Sequence, residues 1–132
     1  KEVADRLVAE PESRDYGLLT VTARLFTEVE RLFTLPPSAF SPPPQVHSSV
    51  LRLRVAPKGK GLDVNTGDFL NFCKLAFGHK RKTLFNNLRG VYNEISARAA
   101  LEKVGVHPSA RAEELSLNSL AHVYKQLVRR EN

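Results

Sequence analysis

Phe77-Gly78-His79-Lys80-Arg81-Lys82-Thr83-Leu84-Phe85-Asn86-Asn87-Leu88 is the stretch from which the rest of the chain is best read. Three consecutive cations, Lys80, Arg81 and Lys82, are followed within two helical turns by Thr83 and the amide pair Asn86-Asn87. Leu84 and Leu88 stand at i and i+4, on one helix face. The pattern predicts a leucine-anchored helix near 80–89 that turns cations and amides outward, and such a surface suits a phosphate backbone. An ordinary solvated helix face with capping asparagines fits the same local composition.

The overall charge leans the same way. The 132 residues carry 20 Lys+Arg against 14 Asp+Glu, a net charge of +6. The excess is local: no acidic residue occurs between Asp68 and Glu94, whereas Lys74, Lys80, Arg81, Lys82 and Arg89 all fall there. Clustered cations bind nucleic acid through counterion release, with a steep dependence on salt. The segment lacks the Trp/Phe/Leu-rich face of an interfacial helix, so nucleic acid ranks above a membrane surface as partner. No apolar run approaches the roughly 18 residues of a membrane span. A single cysteine, Cys73, rules out an internal disulfide and points to a reducing cytoplasm. Cys73 lies on an apolar helical stripe and reads as core. His47, His79, His107 and His122 share no metal-ligand spacing, so no metal is expected. There is no methionine, and Lys1-Glu2-Val3 opens within an amphipathic helical pattern, as a piece of a larger protein would.

The first half reads as α/β material. Val3, Leu7 and Val8 form a helical stripe closed by Pro11, and Leu18 to Phe26 reads as a second short helix. Glu28 to Thr34 alternates like a strand, with Val29 and Phe33 opposing Glu28 and Glu30, until Leu35-Pro36-Pro37 stops it. A second strand is expected from near Val46, with Leu51, Leu53 and Val55 on one face and Arg52 and Arg54 on the other. Two strands are too few to stand alone in water. Their exposed edges invite self-association with a second copy. Residues 57–62, with proline, glycines and lysines, read as a linker. Beyond it the pattern is helical: Phe69, Phe72, Cys73, Ala76 and Phe77; then Ala97, Ala100, Leu101 and Val104, closed by Gly105; then Leu117 to Val128, with Ser116 as N-cap.

Between the strands, Phe40 precedes Pro42-Pro43-Pro44. Prolines hold the backbone near polyproline II at low entropic cost, so the loop can present the ring to a nucleobase. A ring plugging the core beneath a stiff connection is the competing reading.

Phe40-x-Pro42-Pro43-Pro44-x-Val46-x-Ser48 and Arg81-Lys82-Thr83-Leu84-x-Asn86-Asn87-Leu88 resemble two motifs of the ribosomal RNA adenine dimethyltransferases, the KsgA family. Lys1-Glu2-Val3-Ala4 and Ala110 to Ser116 resemble further family segments, in the family's order. The resemblance implies the C-terminal portion of the parent only. Its fold would be the α/β tail of a Rossmann-like methyltransferase domain, made of the last helices and an antiparallel strand pair, followed by a small all-α helical domain. Residues 1–56 would be the catalytic-domain part, 57–62 the linker and 63–132 the RNA-binding helical domain.

A parent of this family dimethylates two adjacent adenines of small-subunit ribosomal RNA from S-adenosylmethionine, as part of ribosome biogenesis in the cytoplasm. The resemblance makes Phe40 the ring that stacks on the flipped adenine, in a loop shaped by Pro42, Pro43 and Pro44. Lys80, Arg81, Lys82, Asn86, Asn87 and Arg89 would hold the RNA of the small ribosomal subunit. The glycine-rich loop, ribose-holding acid and N-L-P-Y tetrapeptide of the family are missing, so the cofactor site is expected to be absent and the chain inactive alone. A non-enzymatic RNA- or DNA-binding module on the same scaffold is the alternative. A methyltransferase acting on large-subunit RNA and a helix-turn-helix reader fit less well.

Overall fold

A computed structural model describes residues 2–39, 41–42, 48–79 and 81–131. A mixed α/β N-terminal region is followed by a mostly helical C-terminal region. Helix α1 (Glu2–Val8) leads through a polar loop to α2 (Leu18–Phe26), the span predicted from the apolar pattern. One hydroxyl joins the two helices. Thr20, wholly buried, accepts from the Gly17 N–H at 3.2 Å and donates to the Arg6 carbonyl.

Strands β1 (Thr27–Leu35) and β2 (Ser48–Val55) pair antiparallel as a two-stranded sheet. Glu28 faces Arg54 and Glu30 faces Arg52, with N···O distances of 3.9 and 3.5 Å. These exposed pairs set register more than stability. The expected alternation fails at one point. A register shift between Arg31 and Phe33 makes Phe33 the partner of Val50, whereas Arg31 pairs with Leu51. Residues directly opposite share a face, and the strand's period is two. The extra residue, Leu32, therefore moves Phe33 from Val29's side to the side of Val50 and Arg52, where it is 51% exposed. Leu53 and Val55 are also open to solvent, at 58% and 80%. Val46 lies outside the described residues.

The segment predicted as linker contains one helical turn, α3 (Gly59–Leu62). Helix α4 (Thr66–Ala76) starts where Asn65 Oδ1 accepts from the Asp68 N–H at 3.0 Å. A short α5 (Leu84–Leu88) follows, then α6 (Glu94–Val104) and α7 (Leu117–Glu131). Asn93 caps α6 by accepting from the Ile95 and Ser96 N–H groups, and Gly105 ends it at φ 84°, a left-handed conformation that a side chain resists. Ser116 Oγ accepts from the Ser119 N–H at 3.2 Å, as expected of an N-cap.

The core centres on aromatic rings of three elements. Tyr124 lies 5.6 Å from Phe69 and 5.3 Å from Phe72, and Tyr92 meets Phe72 edge-on at 6.4 Å. Cys73 is buried among them, as its stripe predicts. The same cluster takes in Ala9, Tyr16, Val21 and Leu25 from the first 25 residues. Tyr16 donates its hydroxyl to the Leu115 carbonyl at 2.6 Å, and the Glu12 N–H donates to the Glu113 carbonyl at 2.8 Å. The loop between α1 and α2 is thus fastened to the turn before α7. No described helix is long and apolar enough to cross a membrane.

Candidate nucleic-acid interface

The basic stretch is a loop followed by a short helix, which corrects the helix expected near 80–89. Thr83 explains the difference: its hydroxyl accepts from the Asn86 N–H at 3.2 Å, so it is the N-cap and α5 begins only at Leu84. A cap residue has extended backbone, which excludes helix before it. Arg81 and Lys82 therefore lie on the connection from α4, where the Lys82 N–H closes a turn onto the His79 carbonyl at 3.0 Å. At the head of that connection, a side chain at Gly78 would press within 3.1 Å of the Leu75 carbonyl.

Leu84 and Leu88 are wholly buried and anchor α5 as their spacing predicts. Asn86 faces solvent. Asn87 does not: it is 6% exposed, and its Nδ2 donates to the Ala76 carbonyl at 2.9 Å and the His79 carbonyl at 3.3 Å. Its amide serves the end of α4 and the turn that carries the cations, so it shapes the loop from beneath. Arg81, Lys82 and Arg89 are exposed, and none pairs with a carboxylate among the described residues. Lys80, Phe40, Pro43 and Pro44 lie outside the described residues. Pro42 is exposed.

A second turn abuts this loop. The Ala110 N–H donates to the His107 carbonyl at 2.9 Å, and the Ala110 carbonyl accepts from the Leu84 N–H at 2.8 Å. Arg98, from α6, lies over the Phe85 ring with its guanidinium carbon 4.7 Å from the ring centre. Neither Arg98 nor His107 is legible as a neighbour of the basic stretch, because no sequence spacing links them to it. Among the described residues no group of His, Cys, Asp and Glu could hold a metal.

The family model for "Ribosomal RNA adenine dimethylase" matches residues 1–129. The chain is 54% identical over 127 residues to "Ribosomal RNA small subunit methyltransferase A" of Koribacter versatilis, covering 96% of this chain and 45% of that protein. It is 51% identical over 128 residues to the protein of the same name from Acidobacterium capsulatum, again covering 96% and 45%. The chain thus spans less than half the length of these relatives. Among solved structures, a dimethyladenosine transferase from Plasmodium falciparum superposes with a TM-score of 0.77 at 23% identity, covering 98% of this chain and 56% of that one. The 23S rRNA methyltransferase ErmE superposes at 0.67 and 23% identity, covering 96% and 51%. These two likenesses establish the fold. With nearly every residue inside the family model and half of them shared with named relatives, the chain belongs to the ribosomal RNA adenine dimethylase family.

Proposed function

We propose that this chain is the C-terminal, RNA-holding portion of an adenine dimethyltransferase of small-subunit ribosomal RNA. The observation that carries the reading is a fixed loop bearing Arg81 and Lys82, both exposed and free of carboxylate partners among the described residues, in a chain so similar to small-subunit rRNA methyltransferases. Cations that are not neutralised internally are free to replace counterions on a phosphate backbone. Residues 1–56 would complete the methyltransferase sheet, which accounts for exposed Leu53 and Val55 on a two-stranded sheet, and 63–132 would form the helical domain. Phe40 would stack on the extruded adenine in the parent.

S-adenosylmethionine would supply the methyl groups, but the residues of this chain do not fit it. Strand β1 runs into Leu35-Pro36-Pro37, and β2 leads to the four-residue α3, too short to present a useful helix N-terminus. No Asp or Glu occurs from residue 31 to residue 62 to hold a ribose. The proposal is therefore that this polypeptide alone does not methylate.

Two measurements test the reading. Undermethylated small subunits with labelled S-adenosylmethionine should take up no label from the 132-residue chain; incorporation would refute that part. Binding to small-subunit ribosomal RNA and to duplex DNA is measured across a salt series, beside a Lys80/Arg81/Lys82→Ala variant. RNA should be preferred, with a steep slope. The variant should flatten the slope by roughly 0.7–0.9 for each phosphate it no longer neutralises. Equal binding to both nucleic acids, or an unchanged slope, would move recognition elsewhere.

A further inference from the structure

Beside the basic loop the surface opens into a cleft of about 430 Å³, lined by Arg98, Glu102, Gly105, Val106, His107 and Pro108. Its size falls within the range of small-molecule sites. We infer that this cleft receives one unpaired nucleotide of the RNA that the basic loop holds, with the base inside and its phosphate toward Arg81 and Lys82. The inference rests on the RNA-binding reading above and assigns a second contact to the same surface.

Position comes first. The His107–Ala110 turn is bonded to the first residue of α5, directly after Lys82-Thr83. A turn keeps its end Cα atoms within roughly 7 Å, so His107 cannot be far from the cations. The chemistry is the second argument. The Arg98 guanidinium carbon lies over Phe85, 4.7 Å from the ring centre, and its nitrogen is 3.9 Å from Glu94 one helical turn away. The side chain is still 57% exposed and lines the cleft, so its planar cation is open to a base that stacks on it. His107 is also fixed: its Nδ1 accepts from the Ser109 N–H at 3.0 Å and lies 2.6 Å from the Ser109 hydroxyl. A ring nitrogen that accepts a backbone N–H carries no proton, which places the proton of the neutral ring on Nε2 as a donor to a base acceptor. Glu102 supplies the complementary acceptor, and Val106 and Pro108 an apolar wall. A carboxylate in the lining disfavours a phosphate inside the cleft and favours a base.

The probe is a stem-loop RNA carrying 4-thiouridine in its loop, compared with the same stem as a closed duplex. Arg98→Lys keeps the charge and removes the plane. It should weaken loop binding about tenfold, the lower part of the range for one base stack, while leaving duplex binding and the salt slope unchanged. Irradiation should crosslink the loop to residues 106–108 in the unsubstituted chain. An Arg98→Lys variant that binds the loop normally, or loses loop and duplex equally, overturns the proposal. So does a crosslink elsewhere. Circular dichroism checks that the variant is folded, and the crosslink needs no variant. Failure of the basic-loop reading would look different: the Lys80/Arg81/Lys82→Ala variant would then keep its full salt slope.

Discussion

Replacing Asn87 by alanine removes two donated hydrogen bonds, to Ala76 O at 2.9 Å and His79 O at 3.3 Å. A net hydrogen bond stabilises by roughly 0.5–1.5 kcal/mol, and a buried group left unpaired costs about 1–3 kcal/mol. Here the orphaned group is the last carbonyl of α4, on a residue 1% exposed. One effect runs the other way. Asn87 Oδ1 is buried without a partner among the described residues, and alanine relieves that cost. The expected loss is about 2–3 kcal/mol, read from urea unfolding followed by circular dichroism. Asn87→Asp sharpens the test, because it sets a carboxylate oxygen where Nδ2 stood, facing two carbonyls. At pH 7 it should be worse than alanine, and it should recover part of the loss near pH 4, where a protonated carboxyl can donate. A change below about 0.5 kcal/mol for alanine, or an aspartate variant as stable as the alanine one at pH 7, would refute this account of the loop.

Tyr16→Phe should cost about 1–3 kcal/mol in the same assay, since it leaves the Leu115 carbonyl without its buried donor. Burial pushes the Tyr16 hydroxyl up to about 12, against a partial lowering by Arg24, and pushes the Cys73 thiol up to about 12. The unfolded chain releases these protons first, so stability is complete below about pH 9 and falls as pH rises toward 12; a flat alkaline profile would contradict it. Native Cys73 should resist iodoacetamide at pH 8 and react only with the rate of unfolding or local opening, as mass spectrometry would show. Gly105→Ala should lower stability by about 1 kcal/mol because φ is 84° there, even though the added carbon would meet no atom within 4 Å beyond the adjoining backbone.

Much of this fold is legible in local pattern. The helix read over Leu18 to Phe26 coincides with α2, and Ser116 and Gly105 mark helix ends that the structure shares. Such signals are local, so neighbouring residues suffice to read them. The failures have a different cause. Leu32 shifts the register through a choice made between strands, which alternation along one strand does not encode. Thr83 suits a helix surface and an N-cap equally by composition, and only the hydrogen bond it makes decides. Asn87 is polar and next to Asn86, yet it turns inward because two carbonyls await it there. Arg98 reaches the basic stretch through packing of α6 alone.

The bond from Tyr16 to Leu115 joins residues 99 positions apart. On a ribosome, α2 emerges long before the turn and helix that cover it. At about 5–20 residues per second, Tyr16 waits roughly 5–20 s for Leu115. During that interval the nascent chain carries an apolar face that will later be wholly buried, a natural target for chaperones or for aggregation. A chain stalled or cut before α7 should therefore engage quality control although most of its helices are already made.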